Sequence, residues 1–194
     1  MLNKKYVGDY RLENMKDKKG KVVTKPVYKG TYYVFEKPAD KVRSEVRLIA
    51  AFTLLAILFF VLAVAFYSNK GFSAQYYTLV PFLVCVFPLL YLAIAAFYLL
   101  KSGNSPESPV TRERKDKMHE RLAKSSFVIM LLSGWNLCGI VLAYILKLAG
   151  RESRPVTVND IVFSSASLFF FASIVLVFSR RKNVTMVPAA KGDN

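Results

Sequence analysis

Very few side chains in this sequence are equipped for chemistry. His119 is the only histidine, and it stands in the run TRERKDKMHERLAK among lysines and arginines. With no cysteine, second histidine or carboxylate at ligand spacing, it is expected on a solvated helix surface rather than at a metal or catalytic centre. A lipid-directed acid–base set would have to be made from Asp116, His119 and Glu120, and no motif supports one. The two cysteines, Cys85 and Cys138, form no Cys-x-x-Cys pair. Both fall in long apolar runs, where a thiol is inert and serves as a small packing group. No cofactor, metal or catalytic set is expected.

The most polar group inside an apolar run is Asn136, in Ser133-Gly134-Trp135-Asn136-Leu137-Cys138-Gly139. An amide in hydrocarbon is costly unless it finds a partner on another helix. Ser164, Ser165, Ser167 and Ser173 are the hydroxyls on offer, so an Asn136–serine contact is expected, either for packing or for contact with a solute. Gly134/Cys138 and Gly139/Ala143 are small pairs four apart that let a second backbone come close. Pro81 and Pro88 each remove a main-chain hydrogen bond and are candidate helix kinks.

These residues are carried by four runs without Asp, Glu, Lys, Arg or His: Leu48–Tyr67, Tyr76–Leu100, Ser125–Leu146 and Ile161–Phe178. A bilayer core of about 30 Å takes about 20 residues of helix. The runs do not alternate, which excludes a β-barrel. The expected fold class is therefore an all-α membrane protein, a four-transmembrane-helix bundle with a short, partly β-like cytoplasmic N-terminal segment. The expected division is a basic segment 1–47, spans 48–67 and 76–100, a linker and juxtamembrane helix 101–124, spans 125–146 and 158–178, and a tail 179–194. Forty-seven mostly polar residues before the first run argue against a cleaved signal peptide.

Lysine and arginine set the orientation, because they are retained on the cytoplasmic side. Of 28, residues 1–47 carry 13, residues 101–124 carry 7 and the tail 4, against 4 in the other two loops. Both termini are thus expected in the cytoplasm, and a bacterial plasma membrane is the simplest setting. On that side the triplet Asn183-Val184-Thr185 would not be glycosylated.

Local signals complete the plan. Ser108-Pro109 reads as a helix start, with Glu113–Lys117 and Glu120–Lys124 as i,i+4 pairs on a helix running unbroken into the third span. Thr157 and Asp160 read as a capping box for the fourth. In the N-terminal segment, strands are expected at Tyr32–Phe35 and around Val22–Val27, with a turn at Lys16–Gly20. Pro26 suits an edge strand. Lys21, Lys25, Lys29, Tyr32, Tyr33 and Phe35 mix cations with aromatic rings, as in an arm that meets anionic lipid headgroups or a protein partner. Nothing resembles a nucleic-acid-binding motif. The functional expectation is a non-catalytic accessory or interaction subunit of a membrane complex, docked on a larger membrane-protein partner, whereas a homo-oligomer would fit the alternative. The alternative is a permease or channel subunit for a small solute. Ion-driven transport is disfavoured, since no span holds a carboxylate.

Overall fold

In the computed structural model, residues 4–16, 22–68, 71, 75–151 and 155–189 are described. Five helices account for the four apolar runs: α1 (Ala39–Ala65), α2 (Tyr76–Val84), α3 (Val86–Gly103), α4 (Arg112–Leu148) and α5 (Val158–Arg180). Four spans among the described residues are long and apolar enough to cross a membrane, with α2 and α3 together making the second. Helix α1 packs on α5 and α3, and α4 packs on α5, α3 and α2. The spans thus form a ring of four.

The buried positions of α1 are Val42, Val46, Ile49, Thr53, Ala56, Phe60 and Ala63. They alternate by four and three residues, the spacing of a stripe that meets neighbouring helices along its length. Toward the C-terminal end of α1 the ring of Phe60 stacks 4.6 Å from Phe82, and Phe170 lies 5.6 Å from Phe60. Phe163 closes this cluster 5.3 Å from Phe82, so one aromatic group joins α1, α2 and α5.

The second span is interrupted at Cys85. Pro88 has no N–H for the carbonyl of Val84, and its ring crowds the preceding turn. The chain tightens instead, with Cys85 N–H donating to the Phe82 carbonyl at 3.1 Å, and the ladder resumes with Leu89 N–H on the Cys85 carbonyl. Pro81 remains inside α2. The break in the second span falls between the two prolines, at Cys85.

Helix α4 does run continuously into the third span, but it starts at Arg112, not near Pro109. Residues Val110–Thr111 are taken into a strand, β4. Both expected pairs form, Lys117 to Glu113 at 2.6 Å and Lys124 to Glu120 at 2.5 Å. The capping box of α5 is also present: Asp160 N–H donates to Thr157 Oγ1, and Thr157 N–H donates to Asp160 Oδ2 at 2.9 Å.

Among the described residues, two small sheets lie outside the helices. Strands β1 (Tyr10–Lys16) and β2 (Val22–Tyr28) form an antiparallel hairpin in which Leu12 faces Pro26. Lys16 ends β1, and the rest of the expected turn lies outside the described residues. In the second sheet, β3 (Tyr32–Phe35) is central, with β4 on one side and β5 (Met186–Pro188) on the other. Segments far apart in the chain thus meet at one end of the ring, which is also the basic end. The tail is fastened there twice more: Arg180 reaches both carboxylate oxygens of Glu45 at 3.2 Å, and Lys37 donates to Asn183 at 3.3 Å.

Candidate functional site

The polar contact inside the spans joins α4 to the head of α2. Asn136 is 1% exposed, and its Nδ2 donates to the main-chain carbonyl of Thr78 at 2.7 Å. One turn further along α4, Gly139 meets the same stretch of backbone. A Cβ there would stand 2.8 Å from the Tyr77 carbonyl oxygen and 3.1 Å from Thr78 Cγ2. The helical donor that would serve the Tyr77 carbonyl is the N–H that Pro81 lacks. Asn136 and Gly139 therefore fit the backbone just above a proline, one by donating to it and the other by making room.

This arrangement corrects the expected Asn136–serine contact. The serines of α5 turn back on their own helix: Ser164 donates to the Asp160 carbonyl, Ser165 to Ile161 and Ser173 to Phe169. Such i−4 bonds use each hydroxyl's own donor within its helix, and the Asn136 amide goes to a main-chain carbonyl instead. Ser167 is buried, and its Oγ has no partner among the described residues. Asn136 lies midway along the run Ser125–Leu146. Thr78 is the third residue of α2, so α2 begins deep beside α4. Of the two small pairs, only Gly139/Ala143 faces a helix closely. Near Gly134 the closest atom to a Cβ would be 3.6 Å away, and Cys138 is exposed. Cys85 is buried and donates to the Pro81 carbonyl at 3.3 Å.

At the basic end, the N-terminal arm is held to the first turns of α4 by tyrosine hydroxyls. Tyr6 donates to Asp116 at 3.0 Å and Tyr10 to Glu113 at 3.3 Å, while the Arg112 N–H donates to the Tyr28 oxygen at 3.0 Å. The rings of Tyr10, Tyr28 and Tyr32 follow edge-to-face at 5.2 and 5.0 Å. Burial raises the pKa of Tyr10 and Tyr28, with Glu113 adding to the effect at Tyr10. Glu113 is lowered, chiefly by its hydrogen bond from Lys117.

The arm's expected contact residues are distributed unevenly. Phe35 is 8% exposed and belongs to the core, and Tyr33 lies under the Lys115 ammonium at 3.9 Å. Lys29 pairs with Glu13 at 3.1 Å. Lys25 and Tyr32 remain exposed, and Lys21 lies outside the described residues. His119 is not the solvated group expected. Its Nε2 is buried with no partner among the described residues, and its pKa is pushed down to about 4, first by burial and then by Lys115.

Sequence reasoning did not single out Thr78, Gly71 or Arg114. Asp160 is fully buried, and Gly71 is packed so tightly on its carboxylate that a Cβ would overlap both oxygens. Among the described residues no group of three His, Cys, Asp or Glu could hold a metal ion. Comparison with protein-family models, with curated proteins and with solved structures finds no match in any of the three.

Proposed function

We propose that this chain is a multi-pass membrane protein with both termini in the cytoplasm, and that it works as a non-catalytic component of a larger membrane complex. The observation that carries this reading is how the polar groups of the spans are used. Thr53, Ser126, Ser133, Ser164, Ser165 and Ser173 donate to their own helices, and Asn136 holds two helices together. A cavity of about 150 Å³ between Val64, Leu79, Phe82 and Phe163 is lined by apolar groups, apart from Tyr67. Polar side chains engaged in this way suit a packed helical unit better than a path for a polar solute. The orientation rests on the sheet, which gathers three basic segments at one end, together with the retention of lysine and arginine in the cytoplasm. A bacterial plasma membrane is the setting this format suits best.

The test is a mild-detergent pull-down of the tagged full chain from its native membrane, read by mass spectrometry. The reading expects a stoichiometric membrane-protein partner that is lost when residues 1–29 are deleted. That deletion removes the hairpin and leaves β3 in place. A homo-oligomer free of other proteins would overturn it in favour of a permease or channel subunit. The observation favouring that second reading is the broken second span at Cys85, and solute flux in proteoliposomes would establish it.

A further inference from the structure

We propose that the seam between α3 and α4 at the basic end is a binding site for the phosphate of an anionic membrane lipid. A cleft of about 300 Å³ opens there, lined by Tyr98, Lys101, Glu113, Arg114 and Lys117. Among the described residues that line it the only carboxylate, Glu113, already accepts from Lys117 and Tyr10. Lys101 and Arg114 form no ion pair among the described residues, so two cations face the cleft without a counter-charge. Arg114 adds a sharper sign: its Nε is buried and has no hydrogen-bond partner among the described residues. A buried guanidinium N–H is costly to leave unmade, and a phosphate oxygen is the acceptor it suits best.

The shape of the seam distinguishes a lipid from a free anion. Tyr91, Ile94, Tyr98 and Lys101 follow one another on α3 at steps of three, four and three, which keeps them on one face. Arg114, Lys117 and Arg121 do the same on α4, and the Arg121 guanidinium lies 5.9 Å from the Tyr91 ring centre. Tyr91 and Ile94 are exposed. Moving from Lys101 toward the spans, the seam therefore passes from cations to exposed apolar and aromatic surface. That gradient matches a phosphate headgroup followed by an acyl chain.

Native mass spectrometry of the full chain in mild detergent provides the test, with phosphatidylglycerol, phosphatidylcholine of the same chains, and inorganic phosphate as probes. Retention of phosphatidylglycerol over phosphatidylcholine by about tenfold is expected for a site with two unneutralised cations. Arg114→Gln and Lys101→Gln should each bring the ratio toward one, while Arg43→Gln on α1 should leave it unchanged. Lys101 is exposed, so its variant stays informative even if Arg114→Gln fails to fold. Equal retention of the two lipids by the natural protein overturns the proposal, as does a preference untouched by Lys101→Gln. An equal loss in Arg43→Gln replaces the site with diffuse attraction. Displacement of the lipid by equimolar inorganic phosphate reassigns the cleft to a free anion.

Discussion

The side-chain amide of Asn136 donates to the backbone carbonyl of Thr78 across 2.7 Å and ties the third span to the first turn of α2. Within hydrocarbon a lost interhelical hydrogen bond is worth roughly 0.6–2 kcal/mol. Asn136→Leu should lower thermal stability in detergent by that order, whereas Ser164→Ala and Ser165→Ala, whose hydroxyls bond within their own helix, should change it little. An unchanged melting temperature for Asn136→Leu would remove this bond as a structural tie.

Gly139 and Gly134 make a matched pair of tests on the same helix. At Gly139 a methyl group would press on main-chain atoms of Tyr77, which cannot swing away. Overpacking of this kind costs about 1–3 kcal/mol, so Gly139→Ala should destabilise the protein. Gly134→Ala meets only ordinary contact with Phe171. It should be neutral or stabilising by up to about 1 kcal/mol, since alanine suits a helix better than glycine. Equal effects at both sites would contradict the packing described.

The arm should come loose when its hydroxyl anchors are removed. Tyr6 is buried, and its bond to Asp116 is to a charged acceptor, a class worth about 1.5–3 kcal/mol. Tyr6→Phe combined with Tyr10→Phe should speed tryptic cleavage at Arg11 and Lys29 several-fold while leaving helix content unchanged. Cleavage at the rate of the natural protein would mean the arm is held by its sheet contacts alone.

His119 should make stability depend on pH. Its folded pKa, about 4, lies below the ordinary 6.5, so the unfolded chain takes up the proton first. Stability is then complete above about 6.5 and falls as the pH drops toward 4. Lys115 works in the same direction as burial, and Asp116 opposes both. Glu113, lowered mainly by Lys117, loses its contribution in a separate window below its ordinary 4.5. Melting temperatures of the natural protein and His119→Gln should therefore converge as the pH falls from 6.5 to 4. Parallel curves would place His119 in water.

Much of the architecture was readable along the chain. Leu48–Tyr67 and its three counterparts are long, uncharged runs: α1 takes the first as far as Ala65, a broken pair takes the second, and α4 and α5 contain the third and fourth. The Thr157–Asp160 box, the Glu–Lys pairs of α4 and strand Tyr32–Phe35 depend on neighbours a few residues away, and they stand where local rules put them. What could not be read was long-range. Val110–Thr111 and Met186–Pro188 are too short to announce themselves as strands and exist because β3 is there to receive them. Thr78 became Asn136's partner through a main-chain oxygen, and no side-chain inventory contains one.

Sequence alone determined the number of spans, the basic end and the local caps, because length, charge and short-range hydrogen bonds are properties of consecutive residues. Only the tertiary structure decided which face of each span turns inward. On α1, Leu54, Leu58 and Val61 point outward, while Thr53, Ala56 and Ala63 are buried. In water the exposure of such large apolar side chains would be unfavourable. Where lipid is as apolar as leucine, hydrophobicity no longer separates inside from outside, and close packing of small side chains takes over that choice.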